Sequence, residues 1–370
     1  MRPAVSRAHR GAAQPGAAGL SAPRLPRAWA DGVWTRQQIA FVVASVLVLA
    51  GLITGALLVV SGGSTPVRRE AARPVPTPTV SHPAGPLRSP FTGERIPYLR
   101  RVLAVKIDNI VYARPQTGLG SADIVYVLPV EGGLSRFMAI FSSHYPPVIG
   151  PVRSARQDDI DLLGQFGRPA FAYSGATAAL LPYIHAIARI VDLYAGTASG
   201  YYRGTDRIAP YNLYADTPLL LHQARQASKA RDIGFRFGPP PSGGRPVRSV
   251  AVSYPAASFR FRWSPSRLRW LVWMDGSPAM TTDSGQLGPA TVVIQDTTVR
   301  TSKFLEYGSR PPYAESTGSG TALVLRGGEE WQVDWSRPRV GHGTVFTTST
   351  GQRMTFARGQ VWVVLADRNG

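Results

Sequence analysis

Short apolar runs alternate with amphipathic stretches in the middle of the chain. Apolar runs bounded by Asp, Asn, Gly or Ser predict strands at 102–107, 124–128, 134–141 and 170–173. The second and third runs are joined through Glu131-Gly132-Gly133, which predicts a hairpin. Helical spacing and start signals predict helices at 158–166, at 176–188 and from Thr217-Pro218 to about residue 230. This mixture predicts an α+β (mixed α/β) domain at 91–238.

The pattern changes after a Pro-Pro-Pro-Ser-Gly-Gly segment at 239–244, which has the composition of a domain boundary. Beyond it no helical period appears. Apolar runs separated by turn residues predict strands at 247–254, 259–263, 268–274, 291–295, 322–325, 331–335, 345–348 and 360–365. The sequence therefore predicts a β-rich domain at 245–370.

Residues 39–60 are apolar throughout and contain no charge. A helix of this length would span about 33 Å, against a hydrocarbon core of roughly 30 Å, which predicts one transmembrane helix. A cleaved signal peptide is the alternative. Its apolar region is usually shorter and its charged arm is short, whereas 38 residues precede this segment, so an uncleaved anchor is favoured.

The segments flanking this apolar stretch predict its orientation. Residues 1–38 predict a disordered cytoplasmic arm, and the Pro-rich residues 61–90 predict an extended linker. The arginines near the two ends of the apolar stretch are equal in number, but Arg36 lies closest to it, on the N-terminal side. A long C-terminal region is also translocated largely regardless of its charge, so the N-terminal arm is expected inside. We therefore expect a single-pass protein of the cell membrane with extracytoplasmic globular domains.

Charge and composition exclude several classes of function. The formal net charge of +19 is spread along the chain without a long basic run, and only Lys106, Lys229 and Lys303 are lysine, so no nucleic-acid partner is expected. The sequence has no cysteine, which excludes disulfide scaffolds and thiol catalysis. It also has no His-Glu-x-x-His, Walker or dinucleotide-binding motif, so neither a metal nor a cofactor is expected.

Two polar segments are candidates for chemistry. In the first, at 150–159, Arg153 and Arg156 precede a predicted helix, where two guanidinium groups and free N–H groups suit an anion. The alternative is that these arginines pair with the aspartates that follow. The second, at 203–212, contains Arg207 and Asn212. It suits either a loop that contacts a ligand or a surface loop whose polar groups bond to one another.

Two acidic residues are also candidates. Asp108 follows a predicted strand, and Glu131 lies in the predicted hairpin turn, so each could serve as a general acid or base. Turn chemistry and simple solvation are the alternative for both.

Many short motifs occur in an order that resembles one bacterial family, the YerB-like proteins with domain of unknown function 3048. The residues that carry the resemblance are Ser89-Pro90-Phe91-Thr92-Gly93, 105–109, 113–119, 122–126, 131–133, Arg136-Phe137, 150–156, 207–212, 318–322, Trp335-Ser336-Arg337 and 359–363. The resemblance covers about residues 89–370. It implies two domains, an extracytoplasmic location and no assigned activity. It also adds Arg114 and Arg136 to the candidate residues.

This chain departs from the family pattern in three places. It has no lipobox cysteine, it has Val127 where an acidic residue is expected, and it has Tyr211 where histidine is expected. If the family used an acid and base at the last two positions, this protein would lack them.

Two hypotheses follow for the activity, and whether the protein is an enzyme stays open. The first is a membrane-anchored binding or scaffold module whose partner is an anionic cell-wall polymer or an envelope protein. The second is a cell-envelope hydrolase or transferase that uses Asp108, Glu131 or the aspartates at 158–161. The candidate ligand-binding residues are Asp108, Arg114, Glu131, Arg136, Arg153, Arg156, Arg207 and Asn212.

Overall fold

An eleven-stranded mixed sheet organises the chain. The structure is a computed structural model that describes residues 86–367 apart from 306, 307 and 309. In chain order its strands are β1 (Leu103–Asp108), β2 (Ile124–Pro129), β3 (Ser135–Phe141), β4 (Val148–Ile149), β5 (Ala170–Tyr173), β6 (Val191–Tyr194), β7 (Tyr201–Arg203), β8 (Leu213–Asp216), β9 (Arg245–Pro246), β10 (Ser249–Tyr254), β11 (Ala257–Ser264), β12 (Arg269–Met274), β13 (Ser277–Pro278), β14 (Met280–Thr281), β15 (Gly285–Gln286), β16 (Thr291–Thr297), β17 (Val299–Thr301), β18 (Pro312–Ala314), β19 (Gly318–Arg326), β20 (Glu329–Arg337), β21 (Val345–Thr348) and β22 (Val361–Asp367).

The large sheet has the order β21-β20-β19-β16-β22-β2-β3-β1-β5-β6, with β9 pairing at the edge of β20. Strand β22 lies between β16 and β2 and is parallel to both, with Val361 opposite Thr291 and Ile124. The sheet therefore contains strands from both sides of the segment at 239–244. Smaller sheets are formed by β10–β13, by β4, β8 and β7, by β14 with β15 and by β17 with β18.

Both faces of the large sheet are buried. Tyr126 and Val363 point into one hydrophobic cluster, whereas their chain neighbours Val127 and Trp362 point into the other. A strand covered on both faces is apolar at nearly every position. This is why the runs at 102–107 and 124–128 were recognisable as strands in the sequence.

The α+β (mixed α/β) fold class predicted for residues 91–238 is wrong. The described residues are mostly β, with 42% in strands and 11% in helices. The helices are α1 (Gln157–Leu163), α2 (Leu180–His185) and α3 (Thr217–Gln223), with 3-10 turns at Val111–Ala113, Leu119–Ser121, Glu131–Gly133 and Gly164–Phe166. None of the three α-helices exceeds seven residues.

Tertiary pairing explains why the third predicted helix stops early. The sequence favoured a helix from Thr217 to about residue 230, but α3 ends at Gln223. The following residues leave the helix and pair with the segment before β1, where Val102 donates to the Ser228 carbonyl and Ala230 donates to the Arg100 carbonyl, both at 2.8 Å. These contacts between distant segments outweigh local helix propensity.

The predicted transmembrane helix at 39–60 and the arm at 1–38 lie outside the described residues. Within residues 86–367, no helix combines the length and apolarity needed to cross a bilayer. Most of the predicted linker also lies outside the described part, but its last residues pack against the domain, since Arg88 bridges to Arg95 and Ser89 is 2% exposed.

Candidate functional site

The carboxylate of Asp108 is held at the end of β1 by its own backbone. Its Oδ1 accepts hydrogen bonds from the amides of Asn109 at 2.9 Å and Ile110 at 3.4 Å. In the antiparallel pairing of β1 with β3, Arg136 lies directly opposite Asp108, and its Nε is 4.0 Å from Oδ1. The register of these two strands therefore places a guanidinium beside the carboxylate.

Arg153 reaches the same carboxylate from the segment that runs beside β1. Val152 bridges to Ile107, and the Arg153 amide donates to the Lys106 carbonyl at 2.8 Å. These contacts place Arg153 Nε 3.0 Å from Asp108 Oδ2, and the guanidinium carbon lies 5.8 Å from the centre of the Tyr211 ring. The side chain is thus fixed on one side by charge and on the other by an aromatic face.

A second, bidentate pair adjoins these residues. Arg156 donates from Nε to Glu131 Oε1 at 2.6 Å and from Nη2 to Oε2 at 3.0 Å. Burial by itself raises the pKa of Glu131, but the hydrogen bond and charge of Arg156 outweigh it, so the pKa lies below the ordinary value. Glu131 is therefore an ionised partner of Arg156 at neutral pH.

These five residues, Asp108, Glu131, Arg136, Arg153 and Arg156, form what we call the arginine cluster. Burial lowers the pKa of Arg136 to about 10; Arg156 and Arg153 act in the same direction, and the two carboxylates oppose them. At neutral pH Arg136 remains charged. The cluster then contains three cations and two anions, which leaves an excess positive charge.

Three other predicted residues stabilise the loops beside the cluster. Arg114 donates to the Asn109 carbonyl at 2.7 and 3.1 Å and pairs with Asp275 at 2.8 Å. Arg207 donates to the carbonyls of Ala113 and Pro115, each at 2.8 Å.

Asn212 holds its own loop. Its Nδ2 donates to the carbonyls of Gly204 at 2.7 Å and Arg207 at 2.9 Å, and its Oδ1 accepts from Arg203 at 2.9 Å. The main polar groups of Arg114, Arg207 and Asn212 are thus engaged by the protein itself.

Sequence reasoning missed Lys106 beneath the cluster, although it named the aspartates at 158–161 as candidate acids and bases. Lys106 and Asp159 form a fully buried ion pair, and Asp158 is 1% exposed with no hydrogen-bond partner for either carboxylate oxygen among the described residues. Burial, followed by the charge of Asp159, raises the pKa of Asp158 to about 7. One signal was available, because Lys106 interrupts an otherwise apolar run at 102–107.

The acidic residues considered for catalysis are each engaged or buried. Asp108 faces Arg153, Glu131 faces Arg156, and Asp161 accepts from the Tyr313 hydroxyl at 2.6 Å. Asp158 and Asp159 are inaccessible to solvent. Within residues 86–367, no group of three or more His, Asp or Glu side chains could hold a metal ion.

Comparison with known protein families finds two matching domain models, both of one family. The model described as "Protein of unknown function (DUF3048) N-terminal domain" matches residues 91–231, and the corresponding C-terminal domain model matches residues 250–363. The family resemblance found in the sequence motifs is therefore confirmed.

Two Bacillus subtilis matches concern the same relative. A protein of strain 168 named "Putative lipoprotein YerB" is 46% identical over 83 residues, which are 22% of this chain and 25% of that protein. The crystal structure of YerB protein has a TM-score of 0.64 at 23% identity and covers 75% of this chain and 96% of that chain. At this identity the structural likeness concerns the fold alone.

Proposed function

Because the chain belongs to the DUF3048 family of proteins of unknown function, we propose an activity from its geometry: it is an extracytoplasmic binding module that holds an anionic group of a cell-envelope component at Arg153. The ligand chemistry is a carboxylate or phosphate, which the planar guanidinium fork binds with two parallel hydrogen bonds.

The proposal rests on which nitrogen atoms of the Arg153 side chain have partners. Its Nε faces Asp108 and its plane lies near the Tyr211 ring, while Nη1 and Nη2 make no hydrogen bond with any described residue. The side chain is 23% exposed. An arginine that is fixed at one end and free at the other loses little conformational entropy when it binds an anion.

The other two arginines of the cluster support the proposal through their charge. Arg136 is 8% exposed and Arg156 is 3% exposed, and Arg156 is already paired with Glu131. Neither presents a free face to a large ligand. Their charges make the surroundings of Arg153 positive, which attracts an anion and strengthens its binding.

The proposed location rests on the relative. The name of the Bacillus subtilis protein describes a lipoprotein, a class that lies outside the cytoplasmic membrane. The present sequence has no cysteine that could carry a lipid. We therefore propose the extracytoplasmic location for this chain, but not attachment through a lipid on cysteine.

The experiment is co-sedimentation of the full-length protein with insoluble cell-wall fragments that retain their anionic polymers. Arg153→Ala should weaken binding roughly tenfold or more, because a charge-assisted contact is lost. The matched control is Arg267→Ala, which removes one exposed charge elsewhere and should bind like the wild type. Equal co-sedimentation of the wild type and Arg153→Ala with the wall fragments would contradict the proposal.

A further inference from the structure

A second cationic feature lies away from the arginine cluster, on the face formed by the segment before β1. A cavity of about 460 Å³ is lined there by two tyrosines, four basic residues and two apolar residues. The basic residues are Arg100, Arg101, Arg225 and Lys229, and the tyrosines are Tyr98 and Tyr145. No carboxylate is among them.

Backbone pairing between two distant segments builds this cavity. Arg101 and Lys229 form an antiparallel bridge, which sets the segment before β1 alongside the residues that follow α3. The Arg101 carbonyl also accepts from the Tyr145 hydroxyl, and the Arg100 carbonyl accepts from the Ser142 hydroxyl at 3.0 Å. The positions of the cations are therefore set by the fold and not by flexible loops.

Aromatic rings hold one of these cations in place. The Arg100 guanidinium carbon lies 5.3 Å from the centre of the Tyr98 ring and 5.5 Å from that of Tyr145. Its Nη2 also donates to the Tyr98 hydroxyl at 3.4 Å. Contacts with two rings restrict the guanidinium without neutralising it.

The four cations have no acidic partner in the part of the chain that the structure describes. Arg225 Nη2 lies 3.3 and 3.4 Å from the two ring nitrogens of His222, and Lys229 is exposed. Asp123 acts by its charge on Tyr145, but it is 2% exposed and accepts from the Ser143 amide at 2.8 Å. Four like charges thus share one cavity, and their mutual repulsion is relieved when an anion enters.

We propose that this cavity is a binding site for a phosphate group, either free or in a lipid headgroup. A carboxylate has one charge and two acceptor oxygens, whereas free phosphate has nearly two charges and at least three acceptor oxygens, so it can engage Arg100, Arg225 and Lys229 together. The phosphodiester of a lipid headgroup has one charge and two unesterified oxygens, which two of these cations can engage. This site is independent of the function proposed for Arg153, because the two share no residue.

The test is calorimetric titration of the full-length protein with inorganic phosphate, with a water-soluble short-chain phosphatidylglycerol and with the corresponding phosphatidylcholine. Arg225→Gln with Lys229→Gln should weaken binding of the first two at least tenfold, because two exposed charged donors are lost. Arg260→Gln with Arg267→Gln is the matched control, since it removes the same charge from exposed positions elsewhere and should bind like the wild type.

The outcomes separate the sources of the phosphate and the two proposals. Tighter binding of phosphatidylglycerol than of inorganic phosphate identifies a lipid headgroup, tighter binding of inorganic phosphate identifies free phosphate, and equal binding shows that the site recognises the phosphate group alone. Arg153→Ala should leave this site intact, so failure of wall binding and failure of phosphate binding are distinguishable. The inference is overturned if phosphate and phosphatidylglycerol both fail to bind, if the cavity variant binds like the wild type, or if the control variant loses as much affinity as the cavity variant.

Discussion

Lys106 Nζ lies 2.6 Å from Asp159 Oδ1, and both side chains are completely buried. The lysine comes from β1, which is covered on both faces, and the aspartate comes from the first turn of α1. The second oxygen of Asp159 accepts from the Arg156 amide at 2.7 Å. One carboxylate therefore connects the central sheet to the start of the helix that follows the arginine cluster.

We expect Lys106→Met to lower the free energy of unfolding by about 3–5 kcal/mol, because it leaves Asp159 as an unpaired charge in the core. Denaturant unfolding at neutral pH measures this loss. Lys106→Met combined with Asp159→Leu should recover part of it, since the double variant leaves no buried charge unpaired. A loss below about 1 kcal/mol in the single variant would contradict the ion pair's role.

Asp158 should make the protein less stable as the pH rises. Burial first, and then the charge of Asp159, raises its folded-state pKa to about 7 from the ordinary value of 3.8, while Lys106 and Arg156 oppose the shift. Its charge also acts on Tyr254 and Tyr313. The folded state then binds more protons than the unfolded state, so the stability that Asp158 contributes is present at low pH and is lost as the pH rises through about 7.

Asp158→Asn removes this titration. We expect the free energy of unfolding of the variant, relative to that of the wild type, to increase as the pH rises from 5 to 8. Urea unfolding at intervals of pH measures this difference. Asp123, whose pKa burial also raises to about 7, contributes a slope of the same sign to both proteins and therefore cancels in the comparison. Parallel stability profiles for variant and wild type would show that Asp158 does not titrate in this range.

Arg114 should matter more to stability than its acidic partner. It donates twice to the Asn109 carbonyl and pairs with Asp275, whose side chain is 40% exposed. Arg114→Ala leaves the Asn109 carbonyl without these two donors and should cost about 1–3 kcal/mol. Asp275→Asn should cost less than about 1 kcal/mol, because an exposed ion pair contributes little. Thermal unfolding of the two variants checks this order, and the reverse order would refute it.

Local patterns in the sequence were sufficient to locate most strands. The runs predicted at 102–107, 124–128, 134–141 and 170–173 correspond to β1, β2, β3 and β5, because strands buried on both faces are nearly continuous apolar segments bounded by turn residues. Helix lengths were not predictable in this way. The residues after Gln223 have good helix propensity, but they pair instead with residues 100–102, which no local pattern reveals.

The candidate site also combines features that the sequence predicts with features that only the tertiary structure shows. The motifs and turn chemistry of the sequence were sufficient to mark Asp108, Glu131, Arg153 and Arg156 as candidates. They could not show that Arg156 is committed to Glu131 while the terminal nitrogens of Arg153 stay free, since this depends on which side chains face each other across β1, β3 and the segment beside them.

The sequence by itself determined the family, the strand-forming segments and the residue types available for binding an anion. Only the tertiary structure decided that β22 joins β16 to β2, and that Arg100 and Arg101 share a cavity with Arg225 and Lys229. The physical reason is that strand propensity is a property of a few consecutive residues. The charges in the cavity depend instead on pairing between Arg101 and Lys229, which are more than a hundred residues apart.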